Sequence, residues 1–386
     1  SRTEGKVDGR FLRLETQTGD RHNRSTRNWD PKTYSPVYQD RSIRQSPLKP
    51  GNSRSFSAFL PELDTTSTNK FSADDYRFVK LLDGKQHKLL KVRVTQLVNP
   101  TLTVRAYYDL AGQLMLTETN LLGQQMKTYR VSKTEALKEI AGEELDLIVN
   151  TMVRVGAIKK AHNTNKVIYK ITMDEEDPSR FIPQGGTQSV RKLGDSAIEL
   201  TVTKAQLAQR PSRDPVDADY LKSTRMLQSD DYRVKNLAKQ GAAGETDPVK
   251  IAYRLERHAG LKLKKKNFST ALASAAEVAD SLEGDCTEHA MLLAAMLRAE
   301  QIPSRIAVGL VYVDSVQSFG GHMWTEAFLN GTWIPLDATL GQGGIGGGHI
   351  KLAESSMADD SPVIATAFLP LMEVLGHIKI EVLRAE

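Results

Sequence analysis

Alternation of apolar and polar residues between positions 90 and 108 constrains the fold of this chain more than any other feature. The segment 90–95 reads Leu-Lys-Val-Arg-Val-Thr, and the segment 102–108 keeps the same two-residue period. Successive side chains of a β-strand point to opposite faces of the sheet. The pattern therefore predicts strands with one buried and one solvated face, which is typical of antiparallel sheets.

Related signals extend this β-structure over the first part of the chain. Asp83 and Gly84 mark a tight turn, and further strand-like segments lie at 145–153, 167–172 and 197–203. We therefore expect an antiparallel β-rich region over residues 1–205. A short helical segment interrupts the strands, so this region could hold two subdomains that divide near residues 135–143.

The composition limits the kinds of site that the chain can carry. Of its 386 residues, 40% are apolar and 26% are charged, as in ordinary soluble globular proteins. A single cysteine, Cys286, excludes an intramolecular disulfide and a multi-cysteine zinc site. Aromatic residues make up 6% of the chain, too few for an extended base-stacking surface, and we expect no nucleic-acid partner. We also predict no transmembrane segment, because no apolar run is long enough to span a bilayer.

Positive charge is concentrated near the start of the chain. Residues 1–60 contain 12 Lys and Arg against 6 Asp and Glu, while the net charge of the whole chain is +5. Such a segment could contact an anionic surface, but we favour a solvated, loop-rich edge. The chain opens without a basic and apolar leader pattern. The sequence therefore fixes neither compartment nor oligomeric state; export, with any leader absent from this chain, is an open expectation.

The pattern changes from strands to helices after residue 205. Asp247 and Pro248 form a helix start, an N-cap followed by proline at the first helical position, and Gly260 is a candidate C-terminal cap. Other helical patterns cover 270–283 and 285–300, and strand patterns follow at 304–313, 322–329 and 332–336. Helices followed by an antiparallel sheet indicate an α+β domain, which we assign to residues 206–386.

The start of one of these helices carries the chain's only thiol. Asp285 and Glu288 have the spacing of a capping box, which puts Cys286 at the first helical position. The N–H groups and the dipole at a helix start stabilise negative charge, so this position favours the nucleophilic thiolate. The same N–H groups can stabilise an oxyanion.

A thiolate that acts as a nucleophile needs a base, and the base needs an orienting group. His322 opens an apolar strand, and Asp337 closes the next strand. Asn330 and Gly331 between them are a strong hairpin signal. The hairpin can place His322 beside Asp337, and packing of the Cys286 helix on this sheet would complete a Cys–His–Asp triad.

The run from 284 to 339 resembles the transglutaminase-like superfamily, a branch of the papain-like cysteine enzymes. The resemblance rests on motifs in a fixed order: a G-x-C helix start, an arginine near the helix end, a G-I-P-x-R-type turn, H-x-W, and D-x-T. In this chain they are Gly284-Asp285-Cys286, Leu297-Arg298-Ala299, Gln301-Ile302-Pro303-Ser304-Arg305, His322-Met323-Trp324 and Asp337-Ala338-Thr339.

The resemblance implies a cysteine enzyme that acts on amide bonds of peptides or proteins through a thioester. Cys286, His322 and Asp337 would be catalytic. Trp324 and Gly284 are candidates for contact with substrate, and a core aromatic on a strand is an equal alternative for Trp324. No cofactor and no metal are implied. Water or an amine could accept the acyl group, so hydrolase and acyltransferase both stay open. The β-rich region is similar to those of bacterial proteins with this domain.

Departures from the family pattern leave questions open. Gln301 stands where the family usually has glycine before its Ile-Pro pair, and the second oxyanion donor is unassigned. An alternative of another class is a non-catalytic binding or scaffold protein, in which the β-rich region binds the partner.

Other residues near the motifs have plainer interpretations. His289 could be a second base, but a buried, hydrogen-bonded histidine is favoured. A zinc site of Cys286, His289, His322 and Asp337 has only one thiolate and no matching motif. The glycine-rich run 341–348 does not open a helix, which argues against a dinucleotide site; we expect a mobile loop at the rim of the active site.

Overall fold

The structure is a computed structural model of the protein, and it describes most of the chain. The described residues are 2–18, 21–60, 65–96, 99–121, 124–136, 152–174, 176–207, 216–264, 273–341, 345–358 and 369–386. Contacts group the chain into two compact units, residues 1–147 and 148–386.

The described part of the first unit is mainly β-structure. Its strands are β1 (Arg2–Asp8), β2 (Phe11–Thr18), β3 (Arg21–Asn28), β4 (Thr33–Tyr34), β5 (Ser53–Leu60), β6 (Thr65–Lys80), β7 (Gln86–Gln96), β8 (Asn99–Tyr108), β9 (Leu114–Leu121) and β10 (Gln124–Tyr129). Its helices are α1 (Pro36–Gln45) and α2 (Lys133–Ala136). Strands β1 to β3 form one sheet, and the others form a seven-stranded sheet in the order β10-β9-β8-β7-β6-β5-β4. These pairs are antiparallel except for β4 with β5.

The two-residue period predicts the packing of β7 correctly. Leu90, Val92 and Val94 all lie in the buried core of the seven-stranded sheet. The opposite face is less solvated than the pattern suggests, because Leu89 and Tyr107 contribute to a second, smaller buried cluster. Long apolar side chains thus cover part of both faces.

The second unit combines helices with two sheets. Its strands are β11 (Val153–Arg154), β12 (Lys166–Met173), β13 (Gln188–Gly194), β14 (Ala197–Thr203), β15 (Ser304–Val313), β16 (Ser318–Leu329), β17 (Thr332–Leu336), β18 (His349–Ser355) and β19 (Ile378–Ala385). Its helices are α3 (Tyr232–Ala242), α4 (Pro248–Lys262), α5 (Ala275–Ser281), α6 (Cys286–Ala299) and α7 (Leu369–Val374). Among the described residues, 3₁₀ turns lie at Ala161–Asn163, Pro178–Arg180 and Ala218–Tyr220.

One sheet of this unit has the order β11-β16-β15-β18, with β17 paired to β16, and the other has the order β13-β14-β12-β19. The fold class is α+β, as predicted from the order of helices and strands. The units divide at residue 147 rather than at 205, because β12 pairs with both β14 and the distant β19. This pairing joins residues 166–203 to the second unit.

Several local signals are confirmed in the second unit. Asp247 caps α4 by accepting from the N–H groups of Val249 and Lys250. Asn330 and Gly331 have φ angles of 52° and 81° and join β16 to β17; both positive values suit a tight hairpin turn. The predicted end of α4 at Gly260 is wrong, because the helix continues to Lys262.

Some predicted elements lie partly outside the described residues. These are the strand at 145–153, the subdomain division near 135–143 and the first part of the helix at 270–283. No described helix has both the length and the apolar character needed to cross a membrane.

Candidate active site

The start of α6 holds Cys286 at the first helical position, as the capping-box spacing predicts. The side chain of Asp285 accepts from the N–H of Thr287 at 3.0 Å and also from that of Glu288. The Glu288 carboxylate accepts from the N–H of Asp285 at 3.1 Å. Because the cap uses the N–H groups of the second and third helical residues, the N–H of Cys286 remains outside the cap. The thiol itself is half-buried.

Gly284 is required at its position by the close approach of Glu288. A Cβ added at 284 would lie 2.1 Å from the Cβ of Glu288, far inside van der Waals contact. The Glu288 carboxylate also accepts from the N–H of Ala273 at 3.1 Å. Burial, together with the nearby Asp285, raises the pKa of Glu288 to about 7. This packing is a structural reason for the glycine, and the contact of Gly284 with substrate stays a prediction.

The α6 helix is fixed to the strand that carries His322. Ala290, Leu293 and Leu297 are buried, as their helical spacing predicts. Thr325 on β16 donates from its hydroxyl to the carbonyl oxygen of Ala290 at 2.9 Å. This bond ties the first turns of α6 to β16.

Arg298, near the end of the same helix, is a structural residue. Its guanidinium is 1% exposed and donates to the carbonyl oxygens of Lys222, Ser304 and Ser356 at 2.6, 2.8 and 2.6 Å. Burial lowers the pKa of Arg298 to about 10. A planar group with five donors suits this position, because it can satisfy several loop carbonyls together.

His322 and Asp337 are neighbours in a buried site, as the hairpin predicts. Nε2 of His322 lies 2.8 Å from Oδ2 of Asp337. The two side chains are 6% and 1% exposed, so both are shielded from water. Nε2 of His322 contacts Asp337, so Nδ1 is its second ring nitrogen. Cys286 is near enough to His322 to contribute to the raised pKa of the imidazole.

The charges of this site reinforce each other. Burial would lower the pKa of His322, but the charge and hydrogen bond of Asp337, with a hydrogen bond to Cys286, raise it to about 10. Burial also opposes ionisation of Asp337, but His322 and a second hydrogen bond from His349 hold its pKa well below the usual value. The arrangement therefore favours an imidazolium beside a carboxylate.

A second histidine, which the sequence motifs did not indicate, contacts Asp337. Nε2 of His349 lies 3.0 Å from the same Oδ2 atom. Burial lowers the pKa of His349 to about 4, although Asp337 acts in the opposite direction. A polar residue directly after a glycine run and before an apolar strand was the available signal, but its partner on another strand cannot be read from spacing.

Trp324 lies beside these histidines rather than at an open surface. It is 2% exposed and belongs to a small buried cluster with Ala307 and Ile345. Its ring centroid lies 6.2 Å from that of His322 and 5.3 Å from that of His349. Trp324 therefore packs against two aliphatic side chains as well as the two imidazole rings.

His289 has the hydrogen-bonded environment that we favoured. It is 1% exposed, and its Nδ1 donates to the carbonyl oxygen of Asp285 at 2.6 Å. A carbonyl oxygen can only accept a hydrogen bond, so Nδ1 of His289 carries the proton. The bond joins His289 to the N-cap residue of α6 and so stabilises the start of the helix.

The described end of the glycine-rich run, residues 345–348, is buried rather than an exposed rim. The N–H groups of Gly347 and Gly348 donate to Oγ1 of Thr164 and to the carbonyl oxygen of Ala161, both at 3.1 Å. A Cβ at Gly347 would lie 2.4 Å from a methyl of Val167. Glycine is needed here for close packing; residues 342–344 lie outside the described part.

His322, Asp337 and His349 are the one described group whose ligand-type atoms cluster, all within 4.8 Å of one another. Both Nε2 atoms are engaged by Asp337 at hydrogen-bond distances. We therefore interpret the group as a hydrogen-bonded cluster. This described cluster contains neither Cys286 nor His289, the other two members of the zinc set considered from the sequence.

Comparison with family models matches residues 235–338 to the transglutaminase-like superfamily. This segment is a transglutaminase-like domain. The match begins in α3 and ends one residue after Asp337, so it contains Cys286, His322 and Asp337. None of the curated proteins compared with the chain matches it.

Solved structures give weaker similarities. A candidate cysteine protease from Cytophaga hutchinsonii is 18% identical with a TM-score of 0.35, over 56% of this chain and 83% of its own. A candidate protease from Parabacteroides distasonis is 11% identical with a TM-score of 0.27, over 92% of this chain and 68% of its own. A structure described as a TGase is 11% identical with a TM-score of 0.25, over 39% of this chain and 43% of its own. At these TM-scores the similarity carries no information about substrate or reaction.

Proposed function

We propose that this protein is a cysteine enzyme that attacks carboxamide bonds of peptides or proteins through Cys286, His322 and Asp337. One observation carries the proposal: a buried imidazole bonds an ionised carboxylate through Nε2 and interacts with a half-buried thiol at a helix start. Nucleophile, base and orienting group are the three roles that covalent catalysis by a thiol requires.

In the first step, the Cys286 sulfur forms a bond with the carboxamide carbon. Negative charge develops on the carbonyl oxygen, and the N–H of Cys286, left outside the Asp285 cap, is suited to stabilise it. The dipole of α6, whose positive end lies at this residue, favours the same charge.

In the second step, the carbon–nitrogen bond breaks and the acyl group remains on sulfur as a thioester. His322 gives its Nδ1 proton to the leaving amine and becomes neutral. Asp337 keeps the other ring proton on Nε2, so the correct nitrogen faces the reacting atoms.

In the third step, water or an amine attacks the thioester and gives a proton to His322, the carbon–sulfur bond breaks, and Cys286 is released as the thiolate. Water gives a peptidase or amidase reaction, and an amine gives a transglutaminase-type transfer. Both use the same three side chains, so we propose the shared chemistry and leave the acceptor to the experiment.

The test combines a covalent probe with turnover. The wild type and the variants Cys286→Ala, His322→Ala and Asp337→Asn are incubated with a thiol-reactive amide mimic and with a peptide library that contains glutamine. Intact mass measures labelling, and product analysis measures hydrolysis and amine incorporation. We expect labelling and turnover in the wild type and neither in Cys286→Ala.

A scaffold protein predicts a different result. If all three variants keep the partner binding and cellular role of the wild type, and the wild type neither labels nor turns over, the enzyme proposal is wrong. Cys286→Ala should change the free energy of unfolding by about 1 kcal/mol or less, because a thiol-to-methyl change at a helix start removes little buried volume. Loss of activity in this variant therefore cannot be attributed to unfolding.

A further inference from the structure

We propose that His349 is a positioning residue of the active site, which holds the Asp337 carboxylate in place for His322 by donating from Nε2 to the shared Oδ2 atom. The inference rests on the proposed function, because it assigns a role in stabilising the reactive pair of Cys286 and His322. It concerns a residue outside the segment 235–338 that matches the superfamily.

The hydrogen bonds of Asp337 show what each donor contributes. Its Oδ1 atom accepts from the N–H groups of Thr339 and Leu340, at 2.9 and 3.3 Å. Its Oδ2 atom accepts from His322 at 2.8 Å and His349 at 3.0 Å. The turn thus fixes one oxygen. The second oxygen, Oδ2, is held by His349 in addition to the proposed catalytic base His322.

Both imidazoles must carry their proton on Nε2 to donate to one carboxylate oxygen. His349 is 3% exposed and is neutral at pH 7, because burial lowers its pKa to about 4. Its proton is then on Nε2, and its buried Nδ1 has no hydrogen-bond partner among the described residues. Of the two ring nitrogens of His349, only Nε2 makes a hydrogen bond among the described residues, and its partner is Asp337.

A neutral donor suits this position better than a cation. Ionisable groups facing His349 are Asp337, His322 and His162, whose ring centroid lies 5.4 Å away. Burial also lowers the pKa of His162. A Lys or Arg at 349 would add a second positive charge beside Asp337 and weaken its support of the His322 imidazolium. An imidazole orients the carboxylate without that charge.

The chain is built to bring His349 to this point. The glycines before it pack closely against the turn at Ala161–Asn163, and a Cβ at Gly348 would lie 3.1 Å from the side chains of Ala161 and His162. Two residues after His349, Lys351 on β18 pairs with Glu326 on β16 at 3.1 Å. His349 is therefore fixed from both sides along the chain.

The test measures alkylation of Cys286 by iodoacetamide between pH 5 and pH 10, which needs no substrate. The variants are His349→Phe, which removes the donor at similar volume, and His349→Gln, whose side-chain N–H can reach the position of Nε2. His377→Phe, at an exposed histidine of the same unit, is the control. Urea unfolding confirms that each variant is folded during the reaction.

We expect His349→Phe to slow alkylation at pH 6 by about tenfold or more, the loss that follows from removing a hydrogen bond to a charged group. His349→Gln should recover most of the rate, and His377→Phe should match the wild type. A merely structural role would lower the unfolding midpoint of His349→Phe and leave its alkylation profile with pH unchanged.

A double variant tests whether His349 acts through Asp337. With Asp337→Ala already present, adding His349→Phe should cause no further loss of alkylation rate. An unchanged or faster rate in folded His349→Phe, or an equal loss in both backgrounds, would overturn the inference while leaving the proposed function intact. If wild-type Cys286 itself reacts at pH 6 no faster than free cysteine, the proposed function fails instead.

Discussion

Gly260 in α4 packs directly against the carbonyl oxygen of Ala338, the residue that follows Asp337. A Cβ added at 260 would lie 2.5 Å from that oxygen. The helix and the strand end can approach this closely only because residue 260 has no side chain. The contact is thus part of what holds Asp337 against α4, from which Glu256 also accepts the N–H of Asp337 at 2.8 Å.

Gly260→Ala should therefore destabilise the protein and disturb the site. We expect a loss of about 1–3 kcal/mol in the free energy of unfolding, the usual cost of overpacking a close contact, and slower alkylation of Cys286. Gly156→Ala is the matched control, because its Cβ would meet no atom within 4 Å. Urea unfolding that leaves both variants equal to the wild type would contradict the contact.

Gln301→Gly should stabilise the protein. Gln301 has a φ of 59°, in the left-handed region that costs a non-glycine residue about 1–2 kcal/mol. Glycine removes this strain but adds freedom to the unfolded chain, so we expect a net gain of about 0.5–1 kcal/mol. The same change at Gln240, inside α3, should instead cost about 1 kcal/mol. Urea midpoints of the two variants should move in opposite directions.

Asp337→Asn should keep the fold and lose most of the activity. The amide can still accept a backbone N–H, but it can direct a donor toward Nε2 of His322 and so favour the wrong tautomer. By analogy with serine triads, we expect a fall of about four orders of magnitude in kcat. Turnover and alkylation are measured together. Activity within tenfold of the wild type would remove Asp337 from the triad.

His322 and His349 should contribute to the free energy of unfolding in opposite pH ranges, below and above pH 6.5. The pKa of His322 is raised to about 10, so its contribution is complete below pH 6.5 and is lost as the pH rises toward 10. The pKa of His349 is lowered to about 4, so its contribution is present above pH 6.5 and is lost as the pH falls toward 4.

Urea unfolding from pH 4 to pH 10 checks both slopes. The readout is the difference between the wild type and each variant, which cancels the titration of other groups. His322→Phe should lose the alkaline slope, and His349→Phe should lose the acid slope. Slopes that persist in both variants would show that other residues cause them.

Local signals predicted much of the site, and for a common reason. The cap at Asp285, the position of Cys286 and the hairpin at Asn330 and Gly331 each depend on residues a few positions apart. Turn and cap geometry then fixes them with little help from the rest of the fold. The pairing of His322 with Asp337 follows, because a two-residue hairpin determines strand register.

The sequence did not correctly predict features that depend on contacts between residues far apart in the chain. Glycine is common at helix ends, which is why Gly260 was predicted to be a cap. Its contact is instead with Ala338, 78 residues later in the chain. His349 reaches Asp337 only because β18 pairs with β15. The boundary between the units lies at 147 rather than 205 because β12 pairs with β19, near the end of the chain. Spacing along the sequence contains no information about such pairings.

The pairing of β12 with β19 has a consequence for how the protein is made. During synthesis, β12 emerges from the ribosome while its partner, Ile378–Ala385, is still untranslated. At about 5–20 residues per second, the two are separated by roughly 10–40 s of translation. The α6 helix and its thiol emerge within this interval. The nascent chain thus exposes an unpaired edge of β12 until its partner emerges, and an unpaired strand edge of this kind favours aggregation.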